Sequence, residues 1–172
     1  SDLMKTYGYD DVSKSQLLTL DSSFRLASVS KQFTAMAIMI LQEQGLLAYS
    51  DLLKDHIPEL NYEGVTVENL LHHTSGIQDY TYFPKSYIEE QNAEFMDMPV
   101  FFKIVEKHPL NKEFEPGSQF SYSNTGYILL AEIVTRVSGQ SFEDFLHNEI
   151  FSPLSMNDSD VWNLLSEPDN GR

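Results

Sequence analysis

Between Ser28 and Gln44 the chain has neither proline nor glycine, and Phe33, Met36, Ala37, Ile40 and Leu41 recur at the spacing of one helix face. This stretch constrains the fold more than any other, because a helix with such a stripe must bury it against other elements. Gly45 supplies the stop. Lys31 falls in the first turn, and a lysine in a largely apolar setting needs a reason to be there. Positions three apart share a helix face, so the Ser28 hydroxyl and the Lys31 amine come within hydrogen-bond reach. The positive end of the helix dipole disfavours a second positive charge, which favours a neutral amine able to act as base to the serine. The same helix start aims backbone N–H groups at an oxyanion. Ser-x-x-Lys alone is a weak pattern, one that a capping serine and a solvated lysine satisfy on many surface helices.

At 172 residues and 41% hydrophobic content the chain is long enough for one sizeable core, and the expectation is a single domain over 1–172. It has no apolar run of membrane length and no basic-then-apolar leader at Ser1, so neither a membrane span nor an intact signal peptide is expected. A net charge of −15 argues against nucleic acid as a partner, since phosphate binding depends on Lys and Arg. The absence of cysteine excludes thiol catalysis, disulfides and cysteine-based zinc sites.

Along the chain, Lys5–Tyr9 reads as a strand, Asp10–Ser15 as a turn, and Phe24-Arg25-Leu26 as an extended lead into the helix. Leu46–Leu60 reads as short helix and loop, with Ser50 as an N-cap. Thr66 is placed to cap a short helix with Val67, Leu70 and Leu71 facing inward, and Gly76 fits its left-handed C-terminal turn. The pair His72-His73 invites a metal, but adjacent helical residues point apart, and His56, His108 and His147 add no ligand spacing; no metal or organic cofactor is expected. Residues 78–111 read as a loop plus amphipathic helix, then a second helix with Pro99 in its first turn; the segment could also wall a substrate cleft. A buried helix is expected from Tyr127 to Val137, closed by Ser138-Gly139. The loop before it carries Tyr122 and Asn124, which in an extended conformation project to one side. Taken alone they are a structural tyrosine and a turn asparagine. Ser141 caps a last helix over Phe142–Ile150, and a polar tail containing Trp162 follows.

Taken together, Phe24-Arg25-Leu26-Ala27-Ser28-Val29-Ser30-Lys31, then Leu70-Leu71-His72-His73-Thr74-Ser75-Gly76, then Pro116-Gly117 ahead of Tyr122-Ser123-Asn124, resemble in order and spacing the serine β-lactamase and penicillin-binding-protein superfamily. More narrowly, the sequence looks like the class C-type branch, which includes D-Ala-D-Ala carboxypeptidases, esterases and β-lactamase-related hydrolases. The resemblance runs from about Tyr7 to Met156. It implies an α+β, β-lactamase/transpeptidase-like fold, here mainly the helical domain with much of the antiparallel sheet outside this chain. It also implies Ser28 as the acylated nucleophile, Lys31 as its proton-transfer partner, Tyr122 as the second proton-transfer group, and Asn124 as a hydrogen-bond partner of Lys31 and of the substrate amide. The Ser28 N–H would supply half of an oxyanion hole, and whether Lys31 or Tyr122 is the base stays open. The implied substrate is a peptidoglycan-like peptide, a β-lactam or an ester. The family is usually exported, so an extracytoplasmic location is expected from the resemblance.

One motif of that family, Lys-Thr-Gly or His-x-Gly on a strand that gives the second oxyanion donor, has no counterpart after Asn124. The expectation is therefore a chain incomplete at both ends, with weak turnover, and with an exposed apolar helical face that a second copy or a companion chain would cover. The alternative is a non-catalytic module that recognises penicillin or peptidoglycan, or a purely structural one.

Overall fold

The computed structural model describes residues 4–13 and 15–162; the polar tail beyond Trp162 lies outside the described residues. The chain divides into two compact units, Ser1–Val29 with Trp162–Arg172, and Ser30–Val161.

In the first unit, β1 (Tyr9–Asp11) pairs antiparallel with β2 (Gln16–Leu17) in the register Tyr9 to Leu17 and Asp11 to Gln16, with an irregularity between them. The strand expected over Lys5–Tyr9 therefore begins where it was expected to end. The Asp11 carboxylate accepts from the Ser13 N–H (2.8 Å) and hydroxyl (2.6 Å), an Asx-type turn that reverses the chain at once. The Arg25 guanidinium lies 3.9 Å from the Trp162 ring centroid. A 3-10 turn, Ala27–Ser30, leads directly into α1 (Lys31–Glu43), so the α-helix starts three residues later than the proline-free run does.

The second unit is helical. Thr34, Ala37, Ile38 and Leu41 form the buried stripe of α1, while Phe33 and Ile40 are half-buried and Met36 is 47% exposed. The buried face is thus turned by about one residue from the expected one. It packs on α6 (Asn124–Ser138), whose Leu129, Leu130, Ile133 and Val134 are fully buried. Around α6 also lie α3 (Val67–Leu71) and α7 (Phe142–Leu146). A π-helical turn, His147–Phe151, continues α7 where one longer helix was expected; its Ser152 N–H donates to the His147 carbonyl at 2.8 Å. Among the described residues the other α-helices are α2 (Leu53–His56), α4 (Lys85–Glu89) and α5 (Met98–Lys107).

Helix ends follow the side chains that can satisfy free backbone groups. The Thr66 hydroxyl accepts from the Asn69 N–H (3.2 Å), Asp97 from Val100 (2.8 Å), and Ser141 from Asp144 (3.0 Å), and Pro99 sits in the first turn of α5. Ser50 does not cap α2: that helix starts after Leu52, whose N–H donates to the Asp55 carboxylate at 3.3 Å. Beyond α3 the first left-handed residue is His73, φ +58°, and not Gly76. Gly76, φ +73°, has a different task. A Cβ there would lie 2.1 Å from the Phe114 carbonyl oxygen, because residues 73–78 run alongside residues 111–121. The ladder consists of Gln78 N–H to Asn111 O (2.9 Å), Glu113 N–H to Gly76 O (2.7 Å), Gly117 N–H to Thr74 O (2.8 Å) and Ser121 N–H to His73 O (2.9 Å).

Candidate active site

Lys31 opens α1 and Asn124 opens α6, and because those two helices pack together their first turns meet. The Lys31 ammonium donates to the Asn124 Oδ1 at 2.8 Å, a contact between residues 93 positions apart. The same Nζ lies 4.8 Å from the Tyr122 ring centroid and 5.6 Å from that of Tyr127, so the cation faces two aromatic rings. Asn124 is the first residue of α6 rather than part of a loop, and Ser123 is the extended N-cap, its hydroxyl accepting from the Gly126 N–H at 3.2 Å. Gly126 in turn lets α6 approach α3: a Cβ there would stand 3.3 Å from the Leu70 carbonyl oxygen. Of the predicted site residues, Lys31, Tyr122 and Asn124 come together in the helical unit. Ser28 lies on the 3-10 turn that precedes Lys31 and belongs to the first unit.

Two residues not assigned a role from the sequence hold this cluster. The buried Asp79 carboxylate accepts from the Asn124 N–H, from the Thr81 N–H (2.9 Å) and from the Thr81 hydroxyl (2.6 Å). Burial alone would raise the Asp79 pKa, but the Thr81 and Asn124 hydrogen bonds outweigh it and hold the carboxyl below its ordinary value. Alongside, the Tyr80 N–H donates to the Thr125 hydroxyl (2.8 Å), which donates to the Gln78 carbonyl (3.0 Å), lacing residues 78–81 to the start of α6. The Asp-x-Thr spacing at 79–81 is the local signal from which this turn could have been read.

The second is His73. Its Nδ1 accepts from the Ser123 N–H at 3.1 Å, and its ring lies against Tyr122 (centroids 4.5 Å apart), Tyr127 (5.0 Å) and, edge-on, Phe120 (5.8 Å). Burial, and then the charge of Lys31, lower its pKa, against the opposing pull of a backbone hydrogen bond with Ser123 and of Asp79. His72 is exposed. Among the described residues no group of three or more His, Asp or Glu is arranged to hold a metal ion.

An amine gripped at the start of one buried helix by an asparagine at the start of another, with a tyrosine beside it, is an arrangement suited to proton transfer next to a nucleophile. Similar known proteins bear on the class of the chain. The chain belongs to the beta-lactamase family, whose model matches residues 3–171. Penicillin-binding protein 4* of Bacillus subtilis is 39% identical over 168 residues, covering 95% of this chain and 36% of that protein. A penicillin-binding protein from Bacillus halodurans superposes with a TM-score of 0.76 at 28% identity, over 94% of this chain and 49% of that one. A D-amino acid amidase from Ochrobactrum anthropi, solved with D-phenylalanine, gives a TM-score of 0.73 at 29% identity, over 87% and 41%. The fold is thus the β-lactamase/transpeptidase fold, here rich in helix with a small two-stranded sheet, and the family is one of serine acyl-transfer hydrolases. The chain spans about a third of the length of the curated relatives it matches. No helix among the described residues is long and apolar enough to cross a membrane.

Proposed function

We propose that the chain carries the acylating centre of a serine hydrolase, with Ser28 as nucleophile and an amide or ester as acyl donor. The observation that carries this reading is the 2.8 Å bond from Lys31 to Asn124 with the Tyr122 ring 4.8 Å from the same ammonium. In the proposed reaction the Ser28 Oγ bonds to the acyl carbon while its proton passes to the Lys31–Tyr122 pair. The pair returns that proton to the leaving amine or alkoxide as the carbonyl re-forms, which leaves Ser28 acylated. Water then attacks the ester and regenerates the hydroxyl. Asn124, anchored through its N–H to Asp79, orients the Lys31 amine and offers its amide group to the substrate. Peptidoglycan-like peptides, β-lactams and simple esters all present the required acyl group, and an extracytoplasmic location follows for a protein acting on the first of these.

Acylation and turnover separate in this proposal. The 172 residues contain no Lys-Thr-Gly or His-x-Gly, and loss of one oxyanion donor costs about a hundredfold or more in rate. Ser28 is therefore expected to label with a fluorophosphonate or a fluorescent penicillin, while a chromogenic cephalosporin or a nitrophenyl ester turns over slowly. Robust turnover that survives Ser28→Ala would contradict the assignment.

A further inference from the structure

We propose that His73 is a protonation-dependent positioning residue: in its neutral form it clasps the segment that carries Tyr122, and protonation releases that segment. The catalytic consequence rests on the acyl-transfer reading; the clasp itself rests on the geometry of His73.

Both backbone N–H groups that flank Tyr122 end on this one residue. Ser121 donates to the His73 carbonyl at 2.9 Å and Ser123 donates to its Nδ1 at 3.1 Å. The ring packs between Tyr122 and Tyr127, the same two rings that face the Lys31 ammonium. The backbone at His73 is left-handed, φ +58°, which directs the imidazole away from the axis of α3 and toward residues 120–127. To accept from Ser123, Nδ1 must carry no proton, so the neutral ring holds its hydrogen on Nε2. Protonation at Nδ1 sets a donor against a donor and adds a second cation to a cluster already occupied by Lys31.

The charged and titratable groups around the imidazole are Lys31 from α1, Asp79 from the segment after α3, Tyr122 from the segment before α6, and Tyr127 from α6. Burial and then Lys31 oppose protonation, a backbone hydrogen bond with Ser123 and the charge of Asp79 favour it, and the net is a lowering from the ordinary 6.5. The clasp is complete at neutral pH and above, and it opens as pH falls through the depressed folded value.

The test uses the full chain, isotopically labelled, titrated from about pH 8 to about pH 5.5 with NMR detection, in parallel with fluorophosphonate labelling of Ser28. The expected result is an Nε2–H tautomer at high pH, a His73 midpoint below 6.5, and Ser123 amide and Tyr122 ring resonances that move with that same midpoint. His73→Asn tolerates the left-handed backbone and offers an oxygen near the position of Nδ1. It should keep the labelling rate within about threefold at high pH and lose the acid limb, whereas His73→Leu, which strands the Ser123 N–H, should lose roughly tenfold throughout. An Nδ1–H tautomer, or a Ser123 amide indifferent to His73 protonation, would overturn the clasp, and the wild-type titration decides this even if a variant does not fold. Should Ser28 never label while Ser123 and Tyr122 follow His73, the acyl-transfer reading fails and the clasp stands.

Discussion

Lys31, Asn124 and Asp79 form a relay of fixed positions: the carboxylate holds the first backbone N–H of α6, and the side chain of that same residue holds the amine. Asp79→Asn should cost about 1–3 kcal/mol of stability, because a buried acceptor of three hydrogen bonds becomes partly a donor. The sign of its pH dependence is definite. A carboxyl whose folded pKa is depressed contributes stability that is present above the ordinary value of 3.8 and is lost as pH falls through the folded value. Asp79→Asn should therefore flatten the acid limb of urea unfolding below about pH 4. Asn124→Ala removes the oxygen that grips the ammonium and should slow Ser28 labelling by about tenfold or more while α6 stays folded, as read by circular dichroism. At this scale the sequence supplied the types and spacing of Ser28, Lys31, Tyr122 and Asn124. It did not supply His73 or Asp79, because their partners, Ser123 and Asn124, are separated from them by 50 and 45 positions.

Elements were legible where a local side chain closes them. Thr66, Pro99, Ser141 and Gly139 mark ends that the chain does adopt, Gly139 closing α6 at φ +71°. What periodicity could not show was long-range pairing, and Gly76 illustrates the difference. It was read as a helix stop, yet its role is to admit the Phe114 carbonyl within the ladder that joins residues 73–78 to 111–121. The two glycines make a controlled comparison. Gly139→Ala meets nothing within 4 Å and should cost only the left-handed backbone penalty, about 1 kcal/mol. Gly76→Ala has the same penalty plus a Cβ 2.1 Å from a carbonyl oxygen, and should cost well over 2 kcal/mol in urea unfolding. Because that ladder ends at Ser121, Gly76→Ala should also slow labelling of Ser28, which Gly139→Ala should leave unchanged. The turned face of α1 has a similar cause: Phe33, Met36 and Ile40 fit a helical stripe, but contact with α6 selects Thr34, Ala37, Ile38 and Leu41.

At the scale of the whole chain, family membership was readable because three short motifs occur in the right order, and order is far more restrictive than any one motif. The packing of α1, α3 and α7 around α6 gives that order its meaning, since it sets the first turns of α1 and α6 together and brings the residues after α3 beside them. The central proposal is that Ser28 is acylated with the assistance of Lys31. Peptide-mapped mass spectrometry after fluorophosphonate treatment tests it most directly. The account predicts a single adduct on Ser28, absent in Ser28→Ala and formed roughly a hundredfold or more slowly in Lys31→Ala. A folded chain that takes no adduct, or a Lys31→Ala variant that labels as fast as the parent, would contradict it.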